Sequence, residues 1–233
     1  MPNPLTRRRL VIPSPFTPIA IPNIVYWYKA DALAQADGTG VSAWPDSSGQ
    51  GYTTQQATGA LQPLFKVNIQ NRLPGLLFNG STQFLSQDIF WNNQAFSLFA
   101  VVQVHSFASS GDIISGVTAG IAWQYVTSGK LDLNKSQTVQ IGESTTALVV
   151  DTSAFVAVTY ASPNAAFYNA GSADGTASSA QTFSAVATSL GRAGTFNIEY
   201  FNGYMFELLA YSRVLAAAEI AAVRTYLRGK WAV

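Results

Sequence analysis

The chain has 233 residues, 48% of them hydrophobic and only 11% charged, with a net charge of +1 and no cysteine. Near-neutral charge removes the electrostatic case for nucleic acid or an acidic membrane surface as partner. The missing cysteines exclude disulfide frameworks, thiol nucleophiles and Cys-based zinc sites, so a chain of this length has to hold itself together by apolar burial.

Residues 1–23 stand apart, because Pro2, Pro4, Pro13, Pro15, Pro18 and Pro22 are six of the ten prolines. Proline fixes its own φ and biases its predecessor toward extended backbone, so an extended arm is predicted here. Arg7, Arg8 and Arg9 open the arm, and Leu10, Ile12, Phe16 and Ile19 give it more apolar surface than a solvated linker needs. Two readings stand at this point: an arm folded back onto its own domain, or an anchor on a neighbouring subunit. The same prolines interrupt the apolar helix of a secretory signal. No run approaches the roughly 18 apolar residues of a membrane span. The expectation is a protein made in the cytoplasm with no signal peptide and no membrane partner.

From Ile24 to Val233 a single domain is predicted. Ile24 to Tyr28 reads as a strand followed by a long polar loop; Pro74 to Phe78 and Phe84-Leu85 frame the turn Asn79-Gly80-Ser81. Phe96 to Val104 is apolar almost throughout, the pattern of a strand buried on both faces. Ile113-Ile114, Ile121 to Val126, Val139 to Ile141, Ala147 to Val150, Phe155 to Tyr160 and Ala166 to Asn169 follow, and then Phe183 to Ala187 and Tyr204 to Tyr211. Short strands at this spacing, with turn signals between them, indicate a sandwich or barrel. Ala216 to Arg228 is the predicted helix, with Ile220, Val223 and Leu227 on one face and Gly229 placed as its C-terminal cap.

Four segments carry a family resemblance. Ile24 to Ala32 with Trp44-Pro45-Asp46-Ser47-Ser48-Gly49-Gln50-Gly51 is similar to an opening strand and a W-x-D-x-S-G-x-G turn. Leu76 to Ser81 with Phe84-Leu85 is the second segment. Phe155 to Tyr160 leading to Ala166 to Gly171 is the third, and Phe201 to Leu215 resembles a closing strand and helix start. In these the chain resembles the concanavalin A-like lectin/glucanase superfamily, in its laminin-G-like or pentraxin-like branch. The resemblance implies an all-β fold: an antiparallel two-sheet β-sandwich (jelly roll), with the extended N-terminal arm before it and one C-terminal helix.

The resemblance does not choose among lectins, glycosidases and structural modules. Glycoside hydrolysis needs two carboxylates about 5–10 Å apart. Glucanases of the resembled family carry them as Glu-x-Asp-x-Glu on one strand, but none of Glu143, Glu199, Glu207 and Glu219 has an aspartate two residues on. His105 is the sole histidine and no Gly-x-Ser-x-Gly elbow accompanies it, so no catalytic residue is assigned. Calcium, which the resemblance permits, has one weak candidate ligand in Asp46, whose competing role is to close its own turn; no cofactor is otherwise expected. For sugar recognition the candidates are the aromatics Trp91, Trp123 and Tyr125, with Asn134 and Arg192 as polar companions. The competing reading packs these aromatics beneath loops.

Taken together, these features lead to the expectation of a non-enzymatic bacteriophage virion component, a capsid decoration or surface-attachment protein anchored by the arm. Its partners would be other virion proteins or copies of itself. The alternative is a carbohydrate-binding adhesin or receptor-binding module recognising a bacterial surface glycan. A divergent glycosidase is third, and it would need carboxylates converging from different strands.

Overall fold

The computed structural model describes residues 16–87, 94–116, 120–184, 186–194 and 196–233. Its strands, numbered along the chain, begin with β1 (Ile24–Lys29), β2 (Ala43–Trp44), β3 (Thr54–Gln55), β4 (Leu64–Gln70), β5 (Leu73–Asn79) and β6 (Leu85–Gln87). They continue with β7 (Ala95–Val104), β8 (Gly111–Gly116), β9 (Ile121–Tyr125), β10 (Lys130–Lys135) and β11 (Val139–Ala147). The last are β12 (Ser153–Ala161), β13 (Asn164–Asn169), β14 (Ser172–Ser178), β15 (Thr188–Leu190) and β16 (Asn202–Tyr211), followed by helix α1 (Ala217–Trp231).

These form two eight-stranded antiparallel sheets. Sheet A runs β14-β13-β12-β7-β16-β5-β4, with β1 pairing the far half of β16, and sheet B runs β11-β10-β9-β8-β15-β6-β3-β2. The expected sandwich is therefore the observed one. Every residue of β7 from Phe96 to Val102 is buried, because sheet A is covered on both faces, by sheet B and by α1. The helix places Val223, Leu227 and Trp231 inward, all fully buried. Tyr226 meets Trp27 edge-on at 6.1 Å, and Trp231 lies 5.3 Å from Phe206.

Beneath the helix, Glu207 of β16 is fully buried and accepts hydrogen bonds from Trp27 Nε1 (2.5 Å), Trp231 Nε1 (2.8 Å) and Lys230 Nζ (2.6 Å). Lys230 also reaches Asp31 at 2.7 Å. One carboxylate thus ties the first strand, the last strand and the end of the helix together. At the other end of α1, Glu219 takes the Ala216 N–H (2.8 Å) and a forked pair from Arg213 (2.6 and 2.7 Å).

Four features differ from the sequence reading. Gly229 does not cap the helix; α1 continues to Trp231 and Ala232 takes the left-handed cap position, φ 55°. The polar loop after β1 contains β2, β3 and β4. β11 ends at Ala147, and Leu148 to Val150 lie outside any strand. The described residues of 183–187 are not a strand, and β15 begins only at Thr188.

The described end of the arm lies on its own sandwich. Pro18 and Ile21 are buried, Tyr211 Oη donates to the Pro18 carbonyl (3.0 Å), the Ser212 N–H donates to Asn23 O (2.9 Å), and Phe16 meets Tyr226 edge-on. Ile19 is 52% exposed. Arg7, Arg8, Arg9, Leu10 and Ile12 fall outside the described residues.

Candidate functional site

Alternation along sheet B separates an apolar face from a polar one. On β9 and β10, Ile121, Trp123, Tyr125, Leu131 and Leu133 point into the sandwich. Gln124, Asp132 and Asn134 point the other way, with Asp132 paired across from Gln124. β8 adds Asp112 opposite Gln124, and β11 adds Glu143 opposite Asp132 and Gln140 opposite Asn134. Four neighbouring strands therefore present one continuous row of carboxyl and amide groups.

Two aspartates organise that row. Asp132 Oδ2 accepts from Gln124 Nε2 (3.0 Å) and Asn134 Nδ2 (2.5 Å), and its Oδ1 accepts from Gln140 Nε2 (3.0 Å), which also reaches Glu143. Asp112 Oδ1 accepts from Gln137 Nε2 (2.7 Å), which reaches over from the β10–β11 turn and also touches Ser115 Oγ. That turn bends sharply because Ser136 and Gln137 both take left-handed backbone, φ 56° and 61°. The segment before β16 also joins here: the Asp112 N–H donates to Glu199 O (3.0 Å), which brings Glu199 beside Asp112.

The electrostatics follow from burial. Asp112 is fully buried, and desolvation followed by repulsion from Glu199 pushes its carboxyl well above the usual range. Desolvation also raises Glu199, and Asp132 despite its three amide donors. Four oxygens within this network have no donor: Asp112 Oδ2, Gln124 Oε1, Gln137 Oε1 and Glu199 Oε2. A buried acceptor left without a donor is costly, so the face is chemically suited to hydroxyl groups, water or protons, and it repels anions.

The expected site residues distribute unevenly. Trp123 and Tyr125 are not exposed platforms; at 1% and 0% exposure they belong to the inter-sheet core, because their strand alternates and they occupy its inward positions. The Tyr125 hydroxyl accepts the Asn202 N–H (3.1 Å). Asn134 does lie on the polar face, but beneath it, 7% exposed and bound to Asp132. Arg192 stacks on Phe84 at 3.4 Å and donates to Asn197 Oδ1, which also accepts from Tyr200. Its segment carries the exposed Phe196 and Ile198 beside Glu199. Trp91 lies outside the described residues.

Asp46 is filled by its own turn. Its oxygens accept from the backbone N–H groups of Trp27, Ser48, Gly51 and Tyr52 and from Ser48 Oγ, which leaves no lone pair directed outward for a cation. His105 pairs with Asp151 at 2.7 Å and tilts against Tyr204. Two surface grooves of about 590 and 660 Å³ lie away from the polar face and have no charged residue in their linings.

Sequence reading missed Gln124, Gln137, Gln140 and Glu199 as members of one site. The available signal was the alternation in Lys130-Leu-Asp-Leu-Asn-Lys135, where polar residues take every second position.

Several solved structures share this architecture. Domain 4 of AbnA, a GH43 extracellular arabinanase from Geobacillus stearothermophilus, was solved in complex with arabinotriose. It is 13% identical with a TM-score of 0.64, and the match covers 87% of this chain and 98% of that one. Trypanosoma rangeli sialidase is 16% identical with a TM-score of 0.60, over 91% of this chain. This chain spans only 34% of the sialidase. The receptor binding domain of botulinum neurotoxin type G is 13% identical with a TM-score of 0.60, covering 88% of this chain and 51% of that one. At such identities the likeness is one of fold. No curated protein matches the sequence. A family model does match, over residues 78–221, more than half of the chain; the protein belongs to the concanavalin A-like lectin/glucanases superfamily.

Proposed function

We propose that this lectin-like sandwich binds neutral, hydroxyl-rich glycans at the polar face of sheet B and does not cleave them. The observation that carries the reading is the continuous row of carboxyl and amide groups across β8 to β11, in which four buried oxygens still lack a donor. Sugar hydroxyls are donors that such acceptors lack. Phe196, 52% exposed at the margin of the face, offers the apolar ring surface that a sugar ring packs against. The arabinotriose complex of a fold neighbour supports the same ligand class. Carboxylates do converge here from different strands, as a hydrolase would need. However, Asp112 is fully buried and its Oδ1 is taken up by Gln137, whereas the carboxylates of a glycosidase stand open on either side of the scissile bond. The oxygens of Asp132 are taken up by amide donors.

The test is calorimetric titration with a panel of neutral and acidic oligosaccharides, with a reducing-end assay run on the same samples. Binding confined to neutral glycans is expected, weakened about tenfold by Phe196→Ala, as for the loss of roughly 1.4 kcal/mol. No neutral ligand, or release of reducing ends, would reject the reading.

For biological context we propose display on a bacteriophage particle, with the arm as anchor. The support is the proline-rich apolar sequence of Leu10, Val11 and Ile12. Removing residues 1–15 spares the stretch packed on the sandwich and should abolish incorporation into particles. Normal incorporation would dismiss the idea.

A further inference from the structure

Lys230 holds two carboxylates on one ammonium. Its Nζ lies 2.6 Å from Glu207 Oε2 and 2.7 Å from Asp31 Oδ1. Three elements meet at that nitrogen. Register sets Lys29 of β1 opposite Glu207 of β16, Asp31 sits in the single turn Ala30–Ala32 directly after β1, and α1 brings Lys230 in from its last turn. Among the described residues Lys230 is the least exposed cation in any ion pair, its side chain 16% exposed. The walls are aromatic: the ammonium is 4.9 Å from the Trp231 ring and 5.7 Å from that of Tyr226.

A tie between strand and helix needs only one of these carboxylates. The second gives the group a further capability. An amine and a carboxylic acid condense to an amide, but in water they persist as ammonium and carboxylate, and that pair does not react. Three conditions lift the block. The nitrogen has to be held against the carboxyl carbon, water has to be thinned around the ions so that they cost more relative to the neutral pair, and a base has to take the proton that the nitrogen sheds as it bonds. Lys230 meets all three. Asp31 Cγ is one bond from the oxygen that Nζ touches, and the surroundings are largely dry. Glu207 is pinned as the base by Trp27 Nε1 on Oε1 (2.5 Å) and Trp231 Nε1 on Oε2 (2.8 Å), so its carboxylate cannot turn away from the amine. The Asp31 side chain, 28% exposed, leaves an exit for water.

We propose that Lys230 and Asp31 condense into an isopeptide bond, with Glu207 as proton carrier, and that this bond locks the end of α1 to the turn after β1. The ammonium gives one proton to Asp31 Oδ1, leaving a neutral amine and a carboxylic acid. The nitrogen lone pair then bonds to Asp31 Cγ. Glu207 Oε2 takes a proton from that nitrogen and returns it to the Asp31 hydroxyl, whose C–O bond breaks. One water leaves, nothing is oxidised or reduced, and Glu207 ends as the carboxylate it began as. The product closes a covalent loop from residue 31 to residue 230 that encloses every strand after β1. The bond goes beyond the glycan reading and stands or falls without it.

The full wild-type chain is held overnight at neutral pH, then denatured, weighed by mass spectrometry and digested with trypsin. The expected mass is that of the sequence less one water. Trypsin should fail to cut after Lys230, and the digest should contain one branched peptide that joins the Asp31 and Lys230 fragments. Lys230→Arg and Asp31→Ala should each restore the full mass, and Glu207→Gln should do so with both reacting residues still present. A wild-type chain of full mass, cut normally after Lys230, would overturn the bond without any variant having to fold. A water loss with no branched peptide would overturn it too, because an aspartyl succinimide has the same mass. Water loss and branching that persist in Glu207→Gln would remove Glu207 from the step.

Discussion

Glu207 and Asp46 show how one acidic side chain can serve as a joint. Glu207 sits fully buried between two indole N–H groups and an ammonium. Glu207→Ala leaves the buried indole N–H groups of Trp27 and Trp231 without an acceptor, while Lys230 keeps Asp31, and should cost about 1–3 kcal/mol for each donor left unsatisfied, read as a shift in urea midpoint. Glu207→Gln retains an acceptor and should cost less. Asp46 closes a turn with five donors, so calcium should leave the melting temperature unchanged, whereas Asp46→Ala should lower stability by about 1–3 kcal/mol. The turn-closing role of Asp46 was legible from the motif around it. The polar face was not, because Asp112, Gln124, Asp132 and Glu199 are distant in sequence and only strand register brings them together.

At the scale of elements, the sequence revealed strands whose two faces are both apolar and hid those with one polar face. β7 and β12 announced themselves as runs apolar almost throughout. β10, with Asp132 and Asn134, did not, nor did β14, with Asp174 and Gly175. These strands are polar for a physical reason: their outward positions carry the hydrogen-bonded network, or they lie at a sheet edge. The helix end was misplaced because glycine is the usual cap, whereas here Arg228 O is satisfied by Ala232. That difference is measurable. A Cβ on Gly229 meets nothing within 4 Å, so Gly229→Ala should stabilise the protein by about 0.5–1 kcal/mol. Thermal or urea unfolding will show it, and a loss of stability would instead place Gly229 in a left-handed cap.

For the whole molecule, ionisation limits stability from both sides. Glu219, held to about 2 by Arg213, and Asp37, lowered by Lys66, supply stabilisation that is present above their unfolded values. It is lost as pH falls through the folded ones. Asp37 is solvent-exposed and Glu219 partly so, so the acid limb should be shallow. Asp112, Asp132 and Glu199 act in the opposite sense, losing stabilisation as pH rises through their raised values. The melting temperature should therefore peak on the acid side of neutrality and decline toward alkaline pH. A peak above pH 8 would contradict this assignment.

The position of β16 has a consequence in time as well as in space. It is the last strand of the sandwich to be made, yet it lies between β7 on one side and β5 and β1 on the other. Until residue 211 has left the ribosome, sheet A is three separate pieces with exposed edges (β14-β13-β12-β7, β5-β4 and β1), and everything made earlier waits for its middle. Nascent chains arrested before Asn202 should be protease-sensitive and bound by chaperones, and those extended past Trp231 should become resistant in one step. For this protein, the rate of translation from Asn202 through Trp231 sets how long an open sheet edge is available to the wrong partner.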